Sequence, residues 1–238
     1  MELNIKKFKE VVLMASGNYL MQNLHLVVNS KITSSMYEGG NMCLTSIKND
    51  MININNNSQI DMYFGDIKNT VLPYISIIDN EIVDVGFYET HMIIKDGKNA
   101  IKIHFCDPSI VGVTTKTTPK IEFNIVLNYQ DVADAYETIK KIAPRFAKIF
   151  IGRKKNELYF LTGDNKYSNN LCVTIKEDIG DDFEVVFDFN TFNKIFTITN
   201  ENFIFKMEYV KERSLGLIFW EQNMNGDYYK YFFTSIME

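Results

Sequence analysis

Residues 106–120 read CDPSIVGVTTKTTPK. This stretch has neither helical nor strand period, is dense in Ser, Thr and Lys, and is flanked on both sides by apolar, aromatic-rich sequence. As a strap it joins two domains. As a long loop it belongs to one β-rich domain. The choice rests on whether the flanking sequences resemble each other.

Short runs rich in β-branched and aromatic residues dominate both sides. Before the stretch they are Leu24–Val28, Met42–Ile47, Ile60–Phe64, Ile82–Phe87, Met92–Lys95 and Ala100–Phe105. After it they are Ile121–Leu127, Lys148–Ile151, Glu157–Leu161, Leu171–Ile175, Phe183–Phe187, Phe203–Val210, Leu215–Trp220 and Tyr228–Ile236. Asp96-Gly97, Gly152–Asn156 and Asn225-Gly226 read as hairpin tips between them. Helical period is confined to four places. From Asn128 to Ala143, Val132, Ala135, Tyr136, Ile139 and Ile142 gather on one face, with Asn128 as cap and Pro144 as stop. From Lys6 to Ser16, Phe8, Val11, Val12 and Ala15 do the same before Gly17. Asp66–Ile78 and Asp188–Ile198 are weaker, and Pro73 predicts a break or late start in the first of these.

The helical segments answer one another at an offset of about half the chain. DIKNTVLPYISIIDN (66–80) corresponds to DFNTFNKIFTITNEN (188–202), and each half closes on hairpin-like strands. A duplication by pattern makes residues 109–120 a connector between residues 1–108 and 121–238, two copies of one α+β unit. The long-loop reading remains the alternative.

The chain is 238 residues long with 46% apolar residues, enough for a substantial core, and its net charge of −5 argues against a surface that coats nucleic acid throughout. The start, Met-Glu-Leu-Asn-Ile-Lys-Lys, carries no leader-like or membrane-spanning run. Cys43, Cys106 and Cys172 are few, odd in number and far apart, which suits a reducing, cytoplasmic setting without a disulfide framework. No phosphate-cradling glycine motif is present, and Thr162–Lys166 is too short to serve as one. His25, His91 and His104 show no metal-ligand spacing, so no metal or cofactor is expected. Asp181-Asp182 reads as a solvated turn, and no Ser or Cys stands in a nucleophile motif. The expectation is a protein that is not an enzyme, with a hydrolase of unrecognised site as a remote rival.

Cations gather on the helical segments: Lys6, Lys7 and Lys9, then Lys68, then Lys140, Lys141, Arg145 and Lys148, then Lys194. Such a strip could hold a phosphate backbone without reading sequence. Macrodipole complementarity gives the same order for the segment from Asn128, where Asp131, Asp134 and Glu137 precede the cations. Asp134 and Glu137 also share the outward side with Lys141 and weaken a DNA-facing surface.

With these residues in place, the chain resembles the DNA sliding clamps, specifically the two-domain phage clamps of the T-even type, whose architecture proliferating cell nuclear antigen shares. MELNIKKFKEVVLMAS is similar to their first strand and helix. IKIHFCDPSIVG is similar to the closing strand and entry to the connector, including the Asp107-Pro108-Ser109 step. FNIVLNYQDVADAYETIKKIA resembles the start of the second domain, and LGLIFWEQNMNGDYYKYFFTSIM the last hairpin. The resemblance implies an α+β fold of two repeated clamp-like domains, each with antiparallel sheets outside and two helices inside. It implies a homotrimeric ring around double-stranded DNA, serving a DNA polymerase and loaded by an ATP-dependent clamp loader, without a membrane role. By position it gives Lys6, Lys7, Lys9, Lys68, Lys140, Lys141, Arg145, Lys148 and Lys194 as DNA-facing. It also gives Met36, Met42, Leu44, Val111, Val113, Phe232, Phe233 and Ile236 as a partner-peptide pocket; taken singly, each is also an ordinary strand-face residue. A monomeric DNA-binding factor of the same fold and a β-rich viral structural protein are the rival readings.

Overall fold

A computed structural model describes residues 1–54, 58–111, 125–142, 147–163, 171–210 and 214–236. The chain divides into two compact units: Met1–Thr117 with Asn223–Lys230, and Thr118–Gln222 with Tyr231–Glu238. The fold is α+β with antiparallel sheets. Residues 112–120 of the expected connector, with Val113, lie outside the described residues, as do 121–124 of the strand expected from Ile121.

The first unit contains β1 (Glu2–Asn4), α1 (Ile5–Ala15), β2 (Leu24–Val28), β3 (Lys31–Glu38), β4 (Asn41–Lys48) and β5 (Ile60–Phe64). Then follow α2 (Ile67–Thr70), α3 (Leu72–Ser76), β6 (Ile82–Tyr88), β7 (His91–Asp96) and β8 (Asn99–His104). Its strands run in the orders β1-β6-β7-β8 and β5-β2-β3-β4. The periodic face of α1 is buried through Phe8, Val11, Val12 and Ala15. Asn4 Oδ1 accepts the Lys7 N–H at 2.9 Å to cap its start. Gly17, with φ of 62°, turns the chain out of it. The second helix is broken as Pro73 foretells: α2 stops at Thr70 and α3 restarts at Leu72, with proline in its first turn, where no N–H is required.

The second unit repeats the series: β9 (Ile125–Asn128), α4 (Tyr129–Ile139), β10 (Lys148–Lys154), β11 (Glu157–Thr162), β12 (Leu171–Glu177) and β13 (Phe183–Asp188). Then come α5 (Phe189–Phe196), β14 (Ile204–Val210), β15 (Leu215–Met224) and β16 (Asp227–Thr234). Its orders are β9-β14-β15-β16 and β13-β10-β11-β12. These match the two orders of the first unit strand for strand, so the duplication read from pattern is a duplication of topology. The tip of the β15–β16 hairpin is counted in the first unit, where β16 lies beside β4 and Asp227 Oδ1 accepts the Lys48 N–H at 2.7 Å.

Two local expectations change. β3 is absent from the expected strands, because Thr33-Ser34-Ser35 dilutes its alternation; Ile32, Ser34 and Met36 nevertheless face inward. Gly152 lies within β10, and the hairpin tip is Lys155-Asn156, with φ of 52° and 64°.

The core of the first unit centres on Phe8, Phe64 and Phe105. That of the second is an aromatic cluster of Tyr136, Phe192, Phe196 and Trp220. Beside β12, the Arg153 guanidinium is buried and gripped by Asp178, with Nε donating to Oδ2 at 2.6 Å and Nη1 donating to the Asp181 carbonyl at 3.2 Å. The Phe183 ring lies 5.4 Å away. Among the described residues no helix is long and apolar enough to cross a membrane.

Candidate nucleic-acid interface

In the first unit, α1 carries Lys6 exposed to solvent and Lys7 and Lys9 half-buried. Lys7 Nζ lies 3.3 Å from Asp50 Oδ2 and 3.5 Å from Glu10 Oε2. The hydrogen bond to Asp50, then the charge of Glu10, holds the Lys7 ammonium above its ordinary pKa. Two neighbouring carboxylates therefore partly offset the charge of this lysine. Lys68 is exposed at the end of α2.

In the second unit, Lys140 and Lys141 are exposed just past α4. Lys140 Nζ pairs with Glu137 at 3.5 Å and sits 5.5 Å from the centre of the Tyr136 ring. Burial, then the Glu137 charge, pushes the Tyr136 hydroxyl up to about 12. That hydroxyl contacts the Asn193 side chain and so ties α4 to α5, whose last turn carries the half-buried Lys194. Asp134 Oδ1 accepts from Gln130 Nε2 at 2.7 Å, so the outward face of α4 mixes acids with cations. Lys148 is half-buried as the first residue of β10, and not at a helix end. Arg145 lies outside the described residues. The candidate cations thus stand on or just beyond helices in each unit, except Lys148 on β10; among the described residues Lys6, Lys68 and Lys141 are exposed and form no ion pair.

The pocket residues are of two kinds. Met36, Met42, Val111 and Phe233 are buried; Met36 Sδ accepts the His25 N–H at 3.3 Å, and Phe233 packs edge-on to Phe187 and Phe192. Leu44 and Phe232 are half-buried and Ile236 is exposed. Leu44 pairs with Ser35, and Met42 with the exposed Tyr37, across β3 and β4. Val113 lies outside the described residues.

A feature that residue-by-residue reading missed is the state of the sheet edges. Four are engaged. Asn4 of β1 donates its N–H to the Met51 carbonyl at 2.8 Å, and the Tyr63 carbonyl of β5 accepts the Cys106 N–H at 2.8 Å. Val186 of β13 accepts from Ile236 at 2.8 Å, and Val126 of β9 accepts from Lys176 Nζ at 3.2 Å. Among the described residues, β8 pairs only with β7 and β12 only with β11. These are six and seven residues long, and long open edges invite pairing with another chain.

Comparison with solved structures finds the same fold along the whole chain. A. fulgidus PCNA, solved with the C-terminal region of FEN-1, aligns with 100% of this chain and 98% of its own, at a TM-score of 0.65 and 14% identity. PCNA from Entamoeba histolytica covers 99% and 98% at a TM-score of 0.65 and 12% identity. The DNA polymerase sliding clamp of Pseudomonas aeruginosa is matched by 100% of this chain over 66% of its length, with a TM-score of 0.65 and 11% identity. No family model matches the chain and no curated protein matches it by sequence. At such identities the likeness speaks for the sliding-clamp fold alone.

Proposed function

We propose that this chain is a DNA polymerase processivity factor that closes into a homotrimeric ring around duplex DNA. The observation that carries the reading is the agreement of its two-unit topology, end to end, with the clamp fold of PCNA. The open strand edges supply the manner of closure. β8 and β12 carry the two edges left open among the described residues. In this reading β12 of one chain pairs with β8 of the next. That pairing is head-to-tail, so it propagates until it closes. The resemblance to the sliding clamps implies six units per ring, so two units per chain give three chains.

The helix cations serve this task as weak, diffuse phosphate contacts that let the ring slide. Encirclement, and not affinity, keeps the polymerase near its template by raising its effective concentration. The partners in this reading are double-stranded DNA, a polymerase and a separate ATP-driven loader, in the cytoplasm of the cell that replicates the DNA. A. fulgidus PCNA takes the C-terminal region of FEN-1; by analogy a partner peptide docks on this chain, with the half-buried Leu44 of the first unit as a candidate contact. The chain itself performs no chemistry.

Native mass in solution tests the reading. Light scattering across a wide concentration range is expected to give three chains at high concentration, falling on dilution. A strict monomer throughout removes the ring and leaves a one-faced DNA-binding factor. A trimer that leaves polymerase processivity unchanged removes the replicative role.

A further inference from the structure

The outward face of β6, β7 and β8 carries three rings on a single rung. Tyr88 stands opposite His91, and His91 opposite His104. Tyr88 stacks on His91 with centroids 4.7 Å apart and planes 10° apart. Gly86 makes room for it: a Cβ there would meet the Tyr88 ring at 3.3 Å. The His91 and His104 centroids lie 5.7 Å apart with planes tilted by 42°. Two imidazoles bound to one tetrahedral ion at Zn–N distances of about 2.0–2.1 Å have ring centres about 5.3 Å apart. The observed separation is therefore a small side-chain adjustment from chelation.

We infer that His91 and His104 form a two-imidazole site for a divalent transition-metal ion of the class that prefers nitrogen ligands, with water completing the coordination. Zn2+, Ni2+ and Cu2+ belong to that class. Antiparallel register already holds the two side chains together, so little ordering remains to be done on binding. The Thr90 hydroxyl oxygen lies 3.1 Å from His91 Nδ1. With Nδ1–H donating to it, the Nε2 lone pair is left for the ion, the kind of outer contact that orients metal-bound histidines. Lys102 stands one rung away, opposite Ile93. The same lysine repels a bound cation and so sets an upper limit on affinity. His25 is otherwise engaged: it stacks on Tyr63 at 4.1 Å, and its Nε2 lies 3.0 Å from Asp61 Oδ1. The hairpin turn at Asp96-Gly97 brings His91 and His104 together, which is why their spacing in sequence gave no sign of a site. The inference does not depend on the clamp reading.

The test is a titration of the untagged full-length chain with NiCl2 and with ZnCl2 at pH 7.5, by calorimetry and by NMR of the histidine ring protons. One ion per chain is expected, moving the His91 and His104 signals and leaving those of His25 in place. His104→Ala, at an exposed position, is expected to weaken binding more than about tenfold, while Lys102→Ala tightens it. Equal affinity in the wild type and in a folded His104→Ala variant, or no saturable binding of either ion, overturns the site.

Discussion

Single residues govern stability here through buried polar groups. Arg153 is 7% exposed, and Asp178 is its carboxylate partner. Removing one member of a buried pair strands the other. Asp178→Ala is therefore expected to cost about 3 kcal/mol, read as a lowered urea midpoint, and Arg153→Met in the same chain is expected to recover much of it. An undiminished midpoint in Asp178→Ala would mean that water already solvates the guanidinium. The opposite sign is expected in β3 and β4. Ser34 and Thr45 are register partners, both buried, with hydroxyls that find no hydrogen-bond partner among the described residues. Replacing such a hydroxyl by a methyl removes a desolvation cost, so Thr45→Val is expected to raise stability by about 1 kcal/mol. A midpoint lower than wild type would show that the two hydroxyls bond to each other or to buried water. Neither site was visible in sequence, because Arg153 meets Asp178, and Ser34 meets Thr45, only after strands pair.

At the scale of elements, helix ends are set locally. Asp188 Oδ1 accepts the Thr191 N–H at 2.6 Å at the start of α5. Asp188→Ala is expected to cost about 1 kcal/mol, and a loss below a few tenths, measured by thermal unfolding, would show that packing of Phe189, Phe192 and Phe196 alone holds the helix. Local rules of this kind made most elements legible. The face of α1, the break before Pro73, the cap at Asn128 and the hairpin turns at Asp96-Gly97 and Asn225-Gly226 all follow from neighbours in sequence. β3 was illegible because a strand with Ser34 facing inward has no apolar alternation to detect. The cation strip was only half legible: the identity of the helix lysines could be read, but the partnership of Lys7 with Asp50 is made by a loop far along the chain. The pocket residues show the same limit, since alternation marks Phe233 as apolar without saying that it points into the aromatic core.

For the whole molecule, the fold compresses two chemically different tasks into one acidic chain of net charge −5. Under the ring reading, cations on and just beyond the helices act on DNA while the net charge of the chain stays negative. Lys68→Glu with Lys141→Glu, both at exposed positions, is expected to shorten polymerase runs without altering the unfolding midpoint, because exposed charges contribute little to stability. Runs of wild-type length in that variant would take both residues out of the DNA path. The two open edges carry a further consequence. Under the ring reading, a chain whose β8 and β12 each keep one edge open among the described residues is a bifunctional monomer, in the language of polymer chemistry. Such a monomer has no intrinsic stopping number: the bend contributed by each chain decides whether growth ends in a small cycle or runs on as a filament. Edge strength decides only how dilute the solution can be before cycles come apart. A change that stiffens or redirects the bend would alter the number of chains without touching either edge, and a chain with one edge closed would be a terminator of every assembly that it joins.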